Sequence, residues 1–201
     1  MDTIRTRTGP ALSQIAATFA PFALLLSMAL LAPETQTSVV LFRAKYTVWV
    51  SIIFATPAYA LYVRGFEPEG SAVFQYWRLL WTFSFLGYAM HFYYVFFVMY
   101  RSNVSAVLEQ QTATVGLSNF LFTAWWALDV ALLWFTRKQD GWVCLQRILF
   151  QGFSFIVFIT AFVFLRPGAP FYFGIALFFT VLLAGLIRLL APASPVPLDN
   201  H

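Results

Sequence analysis

Six times along its 201 residues this chain runs through eighteen or more nearly continuous apolar residues. A bilayer's hydrocarbon core is ~30 Å thick and a helix rises ~1.5 Å per residue, so about 20 such residues suffice for one crossing. In lipid, every backbone polar group must be satisfied within its own helix or around a closed barrel. The runs are continuous rather than alternating, which reads as helices and not barrel strands. The predicted fold is therefore an all-α integral membrane protein, a compact bundle of about six transmembrane helices with both termini cytoplasmic.

The expected spans are 15–32, 46–63, 74–99, 119–136, 143–165 and 171–190, within a transmembrane domain of 15–190. A polar segment, 1–14, precedes them, and a proline-rich tail, 191–201, reads as disordered. Arg5 and Arg7 before an apolar run also fit a signal peptide. That run is longer than a typical signal core, however, and LLAPET is a weak cleavage site, so a retained first helix is expected. Pro57 falls inside the second run and is expected to kink it. The connections RGFEPEGS, RKQDG and RPGAP are rich in breakers and charge. The stretch from Arg101 to Leu117 is the longest connection and has room for a short surface helix.

Composition agrees: 61% of the residues are hydrophobic and 10% charged, against about 45–50% and about 25% in soluble domains. Eight of the twelve basic residues (Arg5, Arg7, Arg64, Arg78, Arg137, Lys138, Arg147 and Arg188) fall on the side of the termini. Arg43, Lys45, Arg101 and Arg166 fall on the other. The positive-inside rule then places the termini in the cytoplasm, and a bacterial inner membrane is the expected location. The net charge of +4 flanks apolar runs, which suits lipid headgroups and gives no nucleic-acid surface.

An ionisable group at the bilayer centre costs about 2.5–3.5 kcal/mol on the insertion scale, so polar residues inside the runs mark the informative places. His91 lies in GYAMHFYY of the third run, with Ser84, Gly87 and Tyr88 near its face at helical spacing. The small Ser84 and Gly87 allow another helix to approach closely. Asp129 lies in WWALDVALLW of the fourth run. Counted from the connection between these antiparallel runs, His91 and Asp129 differ by ~3 Å in depth. A His91–Asp129 pair is the expectation, serving either as a functional site or as a lock between helices. Asn119 opens its run as an expected N-cap, with a cavity lining shared with Thr123 and Trp126 as the alternative. Arg78 and Arg147 lie near the terminal side, where snorkelling to headgroups is the usual role; a shared basic pocket for an anionic headgroup is the alternative. Trp125, Trp126, Tyr88 and Phe92 lie deep enough to fill a core or to wall a flat apolar ligand.

Several chemistries are excluded. The only lysines, Lys45 and Lys138, lie at interfaces or in loops, so no intramembrane Schiff base is available. With His91 and His201 the only histidines, one chain cannot hold a bis-histidine haem, though two copies sharing His91 could. The single Cys144 makes neither an intrachain disulfide nor a thiolate metal site. No metal-binding spacing, nucleophile elbow or phosphate loop is present. Three readings follow. The first is a membrane subunit, or a binder or transporter of a small or lipid-like ligand, in contact with the bilayer and open to a partner subunit or a second copy. The second is a membrane-embedded enzyme or redox protein using His91 and Asp129. The third is a purely structural bundle.

Overall fold

In the computed structural model, residues 9–31, 38–65, 71–111, 113–136, 141–165 and 168–191 are described. They form seven α-helices: α1 Leu12–Leu31, α2 Val39–Arg64, α3 Ala72–Phe92, α4 Val104–Gln111, α5 Ala113–Phe135, α6 Gly141–Ile159 and α7 Ala169–Leu190. Two π-helical segments, Tyr93–Met99 and Thr160–Phe164, prolong α3 and α6. All but α4 are long and apolar enough to cross a membrane. The protein is thus an all-α helical bundle and a polytopic membrane protein. The segment 1–8, most of the loops RGFEPEGS and RKQDG, the first two residues of RPGAP, the site LLAPET beyond Leu31 and the tail after Ala191 lie outside the described residues, together with the expectations placed on them.

Two boundaries differ from the sequence reading. The second span begins at Val39 rather than 46, because Arg43 and Lys45 sit in the first turns of α2 instead of before it. Long basic side chains near a helix end can reach the interface without breaking the helix, so charge there does not mark the end of a span. Ser38 caps this start, its hydroxyl accepting from the Leu41 amide. The fourth span begins at Ala113 rather than 119. Asn119 therefore lies inside α5, and its expected N-cap role is overturned. A true asparagine cap stands at Asn103, whose side-chain oxygen accepts from the Ala106 amide and starts α4, the short helix expected in this connection.

Packing is organised around α2 and α3. Helix α2 touches α1, α3 and α7, while α5 joins α3 to α6. The closeness of α2 and α3 has a local cause. A Cβ built on Gly87 would lie 2.9 Å from the Ser51 nitrogen and 3.2 Å from its Cα. Only a residue without a side chain lets the two backbones meet there. The Ser84 hydroxyl donates to the Ser51 carbonyl at 2.8 Å, and the two hydroxyls lie 3.3 Å apart. Near the start of α7, Gly174 meets Val163 and Phe162 in the second π-helical segment.

With six crossings, α1 starts and α7 ends on one side, called here the terminal side; the opposite side is the far side. Arg78 lies six residues into α3, Asp129 six before the end of α5, and Arg147 six into α6. All three therefore sit at one level, about 9 Å in from the terminal ends of their helices.

Candidate functional site

At that level the fold assembles a buried polar centre. Asp129 has no exposed surface. The Trp81 indole N–H of α3 donates to its Oδ2 at 2.8 Å. The Gln146 amide of α6 donates to Oδ1 at 2.6 Å, and Arg147 Nε donates to the same oxygen at 3.2 Å as an ion pair. Gln146 is oriented in turn by Trp125, whose indole donates to its side-chain oxygen at 3.0 Å. Three donors and one positive charge thus satisfy a carboxylate that burial alone would penalise heavily. Trp81→Phe removes one donor and part of a fully buried ring. It is expected to lower stability by at least about 1.5–3 kcal/mol, the range for a hydrogen bond to a charged group, with the packing lost from the smaller ring added to it, as read from thermal unfolding in detergent. Unfolding at the wild-type temperature would show that this bond adds nothing.

Arg78 lies beside this centre. Its guanidinium sits 3.5 Å from the centroid of the Trp134 ring and reaches the Gln75 side chain at 3.5 Å. Trp134 is held in place by donating to the Thr82 hydroxyl at 2.9 Å. The Arg147 guanidinium lies 5.4 Å from the Trp77 ring. Both arginines are buried, 4% and 2% exposed. The snorkelling expected of them is therefore corrected: each guanidinium turns into the bundle, where aromatic faces and the Asp129 carboxylate replace water and headgroups.

One and two turns deeper on the Arg147 face lie Gln151 and Ser154, both buried. The Tyr59 hydroxyl of α2 bonds to Ser154, and Ser154 donates to the Gln151 backbone carbonyl at 3.1 Å. The Gln151 side chain, 3% exposed, has no hydrogen-bond partner for either its oxygen or its nitrogen. The Trp126 indole N–H, fully buried, also has none. Gln151 stands ten residues from the terminal end of its helix and Trp126 nine from its own, so both lie about 14–15 Å in.

The residues expected to form one site divide into three places. Asp129 and Trp126 belong to the centre just described. His91 does not: its Nδ1 bonds to the Ala44 carbonyl of α2 at 2.7 Å. A carbonyl can only accept, so that nitrogen carries the proton. The ten residues from Trp81 to His91 along α3 carry it about 15 Å towards the far side. The expected His91–Asp129 pair is therefore not formed. A depth count from the ends of the apolar runs misses this, because α5 begins six residues before its run. Tyr88 packs against Trp126 and Phe122 at centroid distances of 5.4 and 4.9 Å. On the same helix as these two, Thr123 donates to the Asn119 carbonyl at 2.7 Å, and the Asn119 amide donates to Gln111 at 3.0 Å. These form a chain of helix contacts on the far half. Ser84 belongs to the α2–α3 seam.

Trp81, Gln146 and Tyr59 are parts of this centre that sequence reasoning does not single out. A usable signal is nevertheless present. Asp129 stands six residues before the end of α5 and Arg147 six after the start of α6, and the few residues between the two helices make them antiparallel neighbours with these two side chains at matched depth. The rings able to wall a flat ligand pack on one another instead: Trp81 on Trp126 at 4.9 Å and Trp125 on Phe153 at 5.6 Å. Among the described residues no cluster of metal-ligating side chains occurs. No protein-family model matches the chain, and comparisons with curated proteins and with solved structures find no match.

Proposed function

We propose that this polytopic membrane protein binds or transports a small polar solute, recognised at the level of Gln151 and Trp126, about one turn deeper than the Asp129–Arg147 pair. The observation that carries this reading is the Gln151 amide, buried with neither its oxygen nor its nitrogen bonded. A lock between helices gains by satisfying every buried polar group, and an unmet one costs about 1–3 kcal/mol. Sequences keep such a cost where function uses it. An amide offers a donor and an acceptor together, and the Trp126 indole adds a donor at the same depth. The complementary chemistry is a solute that both accepts and donates, such as a hydroxyl, carboxamide or carboxyl compound. Its place near mid-bilayer agrees with where transporters hold their substrates. The polar residues Gln75, Arg78, Gln146 and Arg147 support an approach from the terminal side. Both termini in the cytoplasm agree with the distribution of basic residues, and the membrane proposed is a bacterial inner membrane.

Gln151→Met separates this reading from a structural one. It keeps the volume and removes the amide. Without solute the variant is expected to be more stable than wild type by about 1–3 kcal/mol. In thermal unfolding against a panel of sugars, amino acids, amides and dicarboxylates, at least one class is expected to raise the wild-type midpoint and leave the variant unmoved. A variant less stable than wild type, or equal solute shifts in both proteins, counts against the proposal.

A further inference from the structure

A second site stands apart from the Asp129 centre and rests on different observations. Between the far halves of α1 and α2 lies a groove of about 230 Å³, open to the surrounding bilayer. Leu25, Met28 and Ala29 of α1 line one wall, and Phe42, Tyr46 and Trp49 of α2 line the other. The α2 wall is a run of touching rings: Phe42 stacks on Tyr46 at 4.0 Å, and Tyr46 meets Trp49 at a tilt at 4.6 Å. At the far-side mouth stand two cations. The Lys45 ammonium lies 5.3 Å from the centroid of the Trp49 ring, and its side chain is exposed. Arg43 uses its Nε to cover the Leu30 carbonyl at the end of α1, at 3.0 Å. That bond points the guanidinium across the gap between the helices. Among the described residues, the ion pair formed is that of Arg147 with Asp129, and no carboxylate pairs with Arg43 or Lys45.

These two cations are also the anomaly in the chain's charge pattern. They belong to the minority of basic residues on the far side, against the bias that orients the protein. A local anionic partner accounts for their position. We propose that the α1–α2 groove is a binding site for one anionic glycerophospholipid, its acyl chain lying against Met28 and the Phe42–Tyr46–Trp49 rings and its phosphate between Arg43 and Lys45. The chemistry of the occupant follows from the sequence of surfaces: apolar and aromatic within the hydrocarbon, doubly basic at headgroup level. A second protein helix would need small residues or polar partners along the groove, whereas the large side chains lining it suit a flexible chain.

The test uses the full chain in mild detergent, incubated with equal amounts of phosphatidylglycerol and phosphatidylcholine of matched chains, with bound lipid counted by native mass spectrometry. Wild type is expected to retain the anionic lipid about fivefold or more over the zwitterionic one, the size of effect of one or two basic contacts near a headgroup. Arg43→Gln/Lys45→Gln is expected to bring that ratio close to parity. Arg101→Gln, which removes another exposed far-side charge, is expected to leave it unchanged. Met28→Trp fills the groove from its exposed edge and is expected to reduce the number of retained lipids of both kinds. Parity in wild type overturns the proposal. So does an Arg101 variant that loses the preference as fully as the double variant, because diffuse charge would then explain the binding. Undiminished lipid retention in Met28→Trp also overturns it, since the lipid would then lie elsewhere.

Discussion

Asp129→Leu is expected to lower stability by about 3–5 kcal/mol, because it leaves the Arg147 charge buried without its carboxylate. On the scaling for chains of this size, that is a fall on the order of 10 °C in midpoint. The loss has two parts. One is the charge left on Arg147, and the other is the pair of donors, Trp81 and Gln146, left facing an apolar side chain. Asp129→Asn keeps an oxygen for one donor and so is expected to fall between wild type and leucine. The double variant Asp129→Leu/Arg147→Leu removes both charges and is expected to recover more than half of the loss, since apolar replacement of a whole buried pair is often neutral or better. Thermal unfolding of wild type, Asp129→Leu, Arg147→Leu and the double variant in one detergent gives the coupling directly. Additive single losses, with no recovery in the double variant, would mean that the ion pair is not the element holding α5 to α6.

The second large effect is expected at Gly87. Gly87→Ala adds one methyl group 2.9 Å from the Ser51 nitrogen, a backbone atom that no rotamer change can move. Overpacking of this kind costs about 1–3 kcal/mol when side chains can yield, and here α2 must shift as a whole. The seam hydrogen bond from Ser84 to the Ser51 carbonyl would be lost with that shift. Adding Ser51→Ala is not expected to rescue the variant, because the clash is with main chain. Gly152 is the control: a Cβ there meets nothing within 4 Å. Gly152→Ala is expected to be neutral, or stabilising by about 0.5–1 kcal/mol through the backbone entropy of glycine. Equal midpoints for the two alanine variants would show that the α2–α3 seam has room for a methyl group.

Both effects trace to residues whose type is conspicuous in the sequence but whose partners are not all legible there. Gly87 and Ser84 stand out as a place of close helix approach, since small residues at helical spacing let two backbones meet. Which helix approaches, and through which residue, depends on the placement of α2. Asp129 stands out as a carboxylate within the hydrocarbon that needs a partner. The identity of that partner does not follow from spacing. By counting along the runs His91 is the nearer polar group, while a basic residue near a helix end, such as Arg147, ordinarily serves the headgroups.

What the sequence determined by itself was set by the solvent. A run of twenty apolar residues has one stable state in lipid, the helix, and that decision is local. The number of spans, their approximate limits and the membrane class of the protein all follow from it. What tertiary structure decided was the direction in which each polar side chain faces. A helix spaces its residues by about 100° and ~1.5 Å, but its rotation about its own axis is fixed by its neighbours. The Ser51–Gly87 contact turns α3 so that Trp81 and Arg78 face inward, and the close sequence spacing of α5 and α6 brings Arg147 onto Asp129. Only that rotation separates an arginine at the headgroups from one closing a buried ion pair, and no property of a single helix specifies it.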